Sequence, residues 1–285
     1  MEYPTEERAV LGESPLWHRS EELFYWVDIA AERVFSYDPN SGRTEQVHSG
    51  LMVTALSEVD DGGVVLVTSQ GLFILRDDRL AVVAPLELSD EVRTNDGKCD
   101  PRGRVWFGTM DLEATRPIAE LFVYDGRELR RVRDQVILSN GLGWSPTGDT
   151  LYHVDTTRRL IYRHDYDIEI GDVSRREVLV DLAGALEAPD GLAIDVDGNL
   201  WVAMWDGWRI DVFNESGENV HRESLPVQRP TSVAFGGAEL SELYVTTATE
   251  GLEPAQVEEQ THAGKVLRLD PGTSGLPIGV FPQSR

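Results

Sequence analysis

The feature that most constrains this chain is a repeat. Six short runs rich in aromatic and β-branched residues recur at intervals of 40 to 49 residues: Phe24–Asp28, Val64–Thr68, Val105–Thr109, Leu151–Asp155, Leu200–Met204 and Leu243–Thr247. Such residues suit a pleated, half-buried surface, so each run reads as a strand. Most are preceded by a turn signal, as in Asp60-Asp61-Gly62-Gly63, Asp100-Pro101-Arg102-Gly103 and Asp195-Val196-Asp197-Gly198-Asn199. Gly, Asp and Asn supply the positive φ that tight hairpins need. A second strand follows most runs and ends in an aspartate turn, as in Val34–Asp38, Leu121–Asp125 and Ile161–Asp165.

Six units of this kind, with no helices between them, predict an all-β fold, a six-bladed β-propeller. No stretch of ten residues carries a 3.6-residue apolar period. The nearest candidate, 174–186, reads as easily as strand. The whole chain, 1–285, reads as one propeller domain. Closure is expected to use Arg8–Leu11 as a strand of the last blade, which would remove an exposed edge.

Composition limits the partners. Fifty acidic against 26 basic residues give a net charge of −24. Such a body suits neither nucleic acid nor an anionic membrane surface, because phosphate binding needs clustered cations. Only two of the basic residues, Lys98 and Lys265, are lysines. A halophilic protein in molar salt would show this pattern, since salt screens the self-repulsion of an acidic surface; a GC-rich genome would also favour arginine. The one cysteine, Cys99, excludes an internal disulfide and a cysteine-cluster metal site. No apolar run approaches the roughly 18 residues of a membrane span, and the N-terminal residues lack the pattern of a secretory signal. A cytoplasmic monomer or small homo-oligomer is the expectation.

Residues at one offset in equivalent repeats should occupy one ring of a propeller. About ten residues before each run stand Glu13, Thr54, Asn95, Asn140, Asp190 and Thr231, all polar. Propeller inner strands converge on a central channel. Acids and amides meeting there would suit a hard divalent cation, which would offset the repulsion of buried carboxylates. Arg93, two residues before Asn95, would lie on the channel rim. Against this stands the ordinary use of Asn and Asp to begin strands and cap turns. Other motif classes are absent. There is no Gly-x-Ser-x-Gly elbow, no HExxH and no nucleotide-binding glycine pattern. Asp195–Asn199 is a hairpin turn and not an EF-hand loop, its glycine being misplaced. His153, inside a strand, reads as packing.

The motifs Gly12-Glu13-Ser14-Pro15-Leu16-Trp17, Arg93-Thr94-Asn95-Asp96-Gly97-Lys98, Phe107-Gly108-Thr109-Met110, Ser139-Asn140-Gly141-Leu142-Gly143-Trp144 and Pro189-Asp190-Gly191-Leu192 stand in one order. In that order they resemble the regucalcin, gluconolactonase and luciferin-regenerating-enzyme family, the senescence-marker-protein-like sugar lactonases. Pro230–Gly237 with Leu243–Thr247 resembles that family's last blade. The resemblance covers nearly the whole chain. It implies a propeller with one divalent cation in a central channel (Ca²⁺, Mg²⁺, Mn²⁺ or Zn²⁺), held by Glu13, Asn140 and Asp190. It implies further that Arg93 and Asn95 hold the substrate.

The activity then expected is metal-assisted hydrolysis of a gluconolactone, or of a pentonolactone such as xylonolactone or arabinolactone, with Asp190 as general base. Such an enzyme would serve oxidative sugar catabolism. The segment 111–120 is shorter than the substrate-covering loop of regucalcin, which leaves Glu113 as a loose counterpart for that loop's carboxylate. Two alternatives keep the fold: a phosphotriesterase-like metal hydrolase, and a non-enzymatic calcium-binding propeller.

Overall fold

The computed structural model describes residues 1–283, and its regular structure is almost entirely strand. The first sheet is β1 Gly12–His18, β2 Leu23–Asp28, β3 Arg33–Asp38 and β4 Arg43–Ser49. The second is β5 Val53–Glu58, β6 Val64–Thr68, β7 Gly71–Arg76 and β8 Arg79–Pro85, and the third β9 Val92–Cys99, β10 Val105–Asp111, β11 Ala119–Tyr124 and β12 Leu129–Val136. The fourth is β13 Ser139–Trp144, β14 Thr150–Asp155, β15 Leu160–Asp167 and β16 Asp172–Asp181. The fifth is β17 Ala188–Ile194, β18 Leu200–Trp205, β19 Arg209–Phe213 and β20 Asn219–Ser224. The sixth has three strands, β21 Pro230–Gly236, β22 Glu242–Thr247 and β23 Leu267–Leu269, with the short helix α1 Pro254–Glu259 between the last two. Each sheet is a meander of sequential strands, and the six sheets are the blades of a β-propeller. All six aromatic and β-branched runs are the second strands of their blades.

The blades group into two compact units, one of residues 1–53 with 184–276 and the other of 54–183 with the segment from Pro277 onward. In the first unit, Trp26 stacks on Phe35 at 5.1 Å and Phe24 on Tyr244 at 4.4 Å. In the second, Trp106, Trp144 and Tyr166 meet edge to face. Trp26 and Trp106 are fully buried, and truncating either would cost about 3–5 kcal/mol. Turn aspartates anchor two buried indoles, Trp201 and Trp106. Asp195 accepts the Asp197 and Asn199 amides and the Trp201 indole N–H at 3.0 Å. Asp100 does the same for the Arg102 and Arg104 amides and the Trp106 indole. The Asp195 turn is therefore a hairpin device.

One expectation needs correction. Arg8–Leu11 does not form a strand of the last blade, although Leu11 makes a single bridge to Ala248 after β22. The Val10 and Leu11 amides are drawn to the Asp28 carboxylate at 3.0 and 3.2 Å, and Ala9 N–H donates to the Gly264 carbonyl. The outer position beside β23 is taken instead by Glu2, which exchanges both backbone hydrogen bonds with Arg268. The segment 174–186 resolves as strand over most of its length, in β16. Among the described residues no helix is long and apolar enough to cross a membrane.

Candidate active site

Each residue of the expected ring lies near the start of the innermost strand of its blade: Glu13 on β1, Thr54 on β5, Asn95 on β9, Asn140 on β13, Asp190 on β17 and Thr231 on β21. All six are buried. In five blades the inner strand breaks register with its neighbour at this point: at Glu13/Leu16, opposite Phe107/Thr109, and at Asn140/Leu142, Pro189/Leu192 and Pro230/Ser232. A bulge adds a residue to one strand and re-aims its side chain, which is why bulges gather beside functional sites. The repeat offset thus marks a shared backbone irregularity as well as a shared position.

In the first unit, Glu13 and Asp190 are 7% and 4% exposed. The Glu13 carboxylate accepts the Ser14 amide at 3.0 Å, with Ser14 in a left-handed conformation. Gly191, directly after Asp190, abuts the next inner strand; a Cβ there would stand 2.0 Å from the Ser232 hydroxyl oxygen. Only glycine permits that approach. Thr231 spends its hydroxyl on the scaffold, bridging to the Gly12 carbonyl at 2.5 Å.

In the second unit, the Asn140 amide nitrogen donates to Thr156 Oγ1 at 3.1 Å, while its buried carbonyl oxygen has no hydrogen-bond partner. Asn95 donates to the Ser139 carbonyl at 2.9 Å and accepts from Arg93 Nη1 at 2.9 Å. Arg93 Nη1 also donates to the Thr94 carbonyl at 2.8 Å, so Arg93 and Asn95 form one hydrogen-bonded group. Thr54 bonds Thr94 Oγ1 and, like Thr231, serves the framework. Burial pushes the Asp96 carboxyl up against the pull of Lys98, and pushes the Lys98 ammonium down. His153 is buried, as expected, with Nε2 2.8 Å from Ser139 Oγ.

The short loop after β10 is clamped by Asp111. Its carboxylate accepts the Thr115 and Arg116 amides and pairs with the Arg116 guanidinium, which also reaches Glu91. These bonds hold the Asp111 carboxyl well below the usual range. Glu113 sits exposed on this loop. The sequence reading missed this device, which recurs. Asp28 ends β2 and ties down Val10, Leu11 and Ala31; Asp155 ends β14 and ties down Ile137, Leu138 and Arg158. Both are fully buried, and both hold the segment that feeds a ring residue, Glu13 or Asn140. The signal was present in the sequence, as an aspartate closing the run in both repeats.

The side chains expected as ligands all carry oxygen donors: carboxylates at Glu13 and Asp190, an amide carbonyl at Asn140. No cluster of three or more His, Cys, Asp or Glu side chains forms a metal site among the described residues, so any such set depends on the amide. The Cys99 thiol is buried and pushed up to about 12 by that burial, so it stays protonated at neutral pH.

Residues 11–249 match the family model described as SMP-30/Gluconolactonase/LRE-like region. The chain belongs to this family. Its relatives include YvrE of Bacillus subtilis, whose name gives it as a sugar lactone lactonase, 37% identical over 94% of each chain. Bovine regucalcin is 33% identical over 95% of this chain and 94% of its own. Among solved structures, a calcium-binding regucalcin from Agrobacterium tumefaciens superposes with a TM-score of 0.92 at 26% identity, covering 99% of this chain and 96% of that one. The propeller and family membership expected from the ordered motifs therefore hold for this chain.

Proposed function

We propose that the chain is a divalent-cation-dependent hydrolase that opens a sugar lactone, a gluconolactone or a pentonolactone, to the aldonic acid. The observation that carries this reading is the buried Asn140 carbonyl oxygen without a hydrogen-bond donor. Leaving such an oxygen unsatisfied costs about 1–3 kcal/mol, a penalty that ligation would remove. Thr156 Oγ1 takes up the amide nitrogen, which leaves the oxygen without a partner. Glu13 and Asp190 occupy the same inner-strand position in their blades, and two carboxylates with one amide oxygen suit Ca²⁺, Mg²⁺ or Mn²⁺, with Zn²⁺ also admissible. A cation bound by these three supplies a Lewis acid for the lactone carbonyl and for the charge that develops on its oxygen.

The chain's own residues do the rest. Asp190 takes a proton from the attacking water as the hydroxyl adds to the carbonyl carbon. The ring carbon–oxygen bond then breaks, and the proton passes to the departing ring oxygen. Arg93 and Asn95 bind the sugar oxygens, and the Arg93 bonds to Thr94 and Asn95 set the plane of the guanidinium beforehand.

The test is Asn140→Ala. Cation affinity, measured by titration calorimetry on chelator-stripped protein, should fall roughly 100-fold, because a ligand is lost from a small set. Unchanged affinity in a folded variant would remove Asn140 from the site.

A further inference from the structure

We propose that Trp208 forms a stacking subsite for a second sugar ring carried by the lactone, so that the substrate class is a glycosylated aldonolactone. This rests on the lactonase reading above. Trp208 ends the turn between β18 and β19, with φ of 55° and 43% of its surface exposed. Equivalent turns in two other blades have the same backbone: Glu32 before β3 at 52° and Arg159 before β15 at 57°. Those positions carry charged side chains, Glu32 exposed and Arg159 half-buried. A bulky aromatic there is an outlier in both conformation and exposure.

The turn is built to hold it. Asp206, also left-handed at 60°, accepts from Arg229 Nε at 2.7 Å and from the Gln228 amide at 2.9 Å. The Arg229 guanidinium lies 4.7 Å over the Trp205 ring and covers that face. At Gly207 a Cβ would stand 2.6 Å from the Met204 Cβ, which fixes glycine there. The Trp208 backbone donates to the Gln228 carbonyl at 3.3 Å and accepts the Leu225 amide at 2.7 Å. The backbone that carries the exposed indole is thus held on both sides of the turn.

Its place in the blade sets what it meets. Ala188 pairs with Trp205 and Pro189 with Met204, so this turn lies at the same end of the blade as Asp190. β19 is two strands out from β17, or two interstrand steps of about 4.8 Å. That is farther than one lactone ring spans from Asp190. A flat apolar face at this distance suits the C–H face of a ring attached to the lactone through an outward hydroxyl.

The experiment compares a 4-O-glucosyl glucono-1,5-lactone with glucono-1,5-lactone on the cation-loaded full chain, wild type against Trp208→Gly, by proton release. For the disaccharide lactone, KM should rise about tenfold with kcat unchanged, the size of one aromatic contact. KM for the monosaccharide lactone should not move. The melting temperature should hold or rise, since glycine is at ease at this φ. No change in KM, an equal change for both lactones, or a loss that tracks a fall in melting temperature would each overturn the proposal. A wild-type protein inert toward both lactones would instead overturn the lactonase reading itself.

Discussion

Replacing Asp190 with alanine is expected to lower kcat for lactone hydrolysis at least about a thousandfold and to release the bound cation. Two roles meet in this one side chain under the proposed function, ligand and base, so the variant loses both together. The fold should survive the change. Asp190 sits at a bulge in an inner strand whose core partners, Leu192 and Val202 among them, are untouched. Removing a buried carboxylate also removes the cost of desolvating it. Circular dichroism and a melting curve establish that the variant is folded, and turnover and cation content are then read from the same preparation. Asp190→Asn should keep part of the cation affinity, since the amide oxygen can still ligate, while losing the base. A folded Asp190→Ala protein with near-normal turnover would contradict the assignment.

The second large effect is on stability. His153 and His164 are each 1% exposed, and both imidazoles are driven far down, to about 3 and about 2. Burial is the main cause for both. Arg176 and Arg133 oppose the proton on each ring, and for His164 the His153 ring, 6.1 Å away, adds to them. Neither ring nitrogen of His164 has a hydrogen-bond partner, so nothing in the fold stabilises its cation. The unfolded chain protonates these groups near 6.5 and the folded chain does not. Their contribution is therefore complete above pH 6.5 and is lost as pH falls. At pH 5 the loss is about 2 kcal/mol for each group, or roughly 4 kcal/mol together, a large share of a typical domain's stability. Denaturant unfolding at pH 7, 6 and 5 checks this. His164→Phe should halve the slope over that window, and an unaltered slope would show that another group carries the acid sensitivity.

What the sequence revealed and what it hid divide along physical lines. The second strands were legible because each is a continuous apolar run, and a run buried on both faces needs no partner to be recognised. The shared inner-strand position of Glu13, Asn140 and Asp190 was legible because one polar position recurs against apolar neighbours such as Leu142 and Leu192. The bulges beneath them were not, since a register break depends on the facing strand as much as on the residues themselves. The closing contact of Glu2 with Arg268 joins residues from opposite ends of the chain through backbone bonds, which leave no side-chain signature. The helix α1 was too short to show a period, although Glu253 and Gln256 with a proline at the first turn form a capping box around its start. Thr54 and Thr231 stand at the ring offset as well, yet their hydroxyls are committed to bonds within the scaffold; a threonine at that offset cannot reveal by type alone which way it is used.

The most direct measurement is proton release from a panel of hexono- and pentonolactones, in low and in molar KCl. The protein is first stripped by chelator and then resupplied with Mg²⁺, Mn²⁺, Ca²⁺ or Zn²⁺. Hydrolysis that disappears with the cation and returns with it is the expected result, and the best pair would name both ion and sugar. A folded, cation-loaded protein that hydrolyses none of these lactones would contradict the enzyme reading and leave a cation-binding propeller in its place.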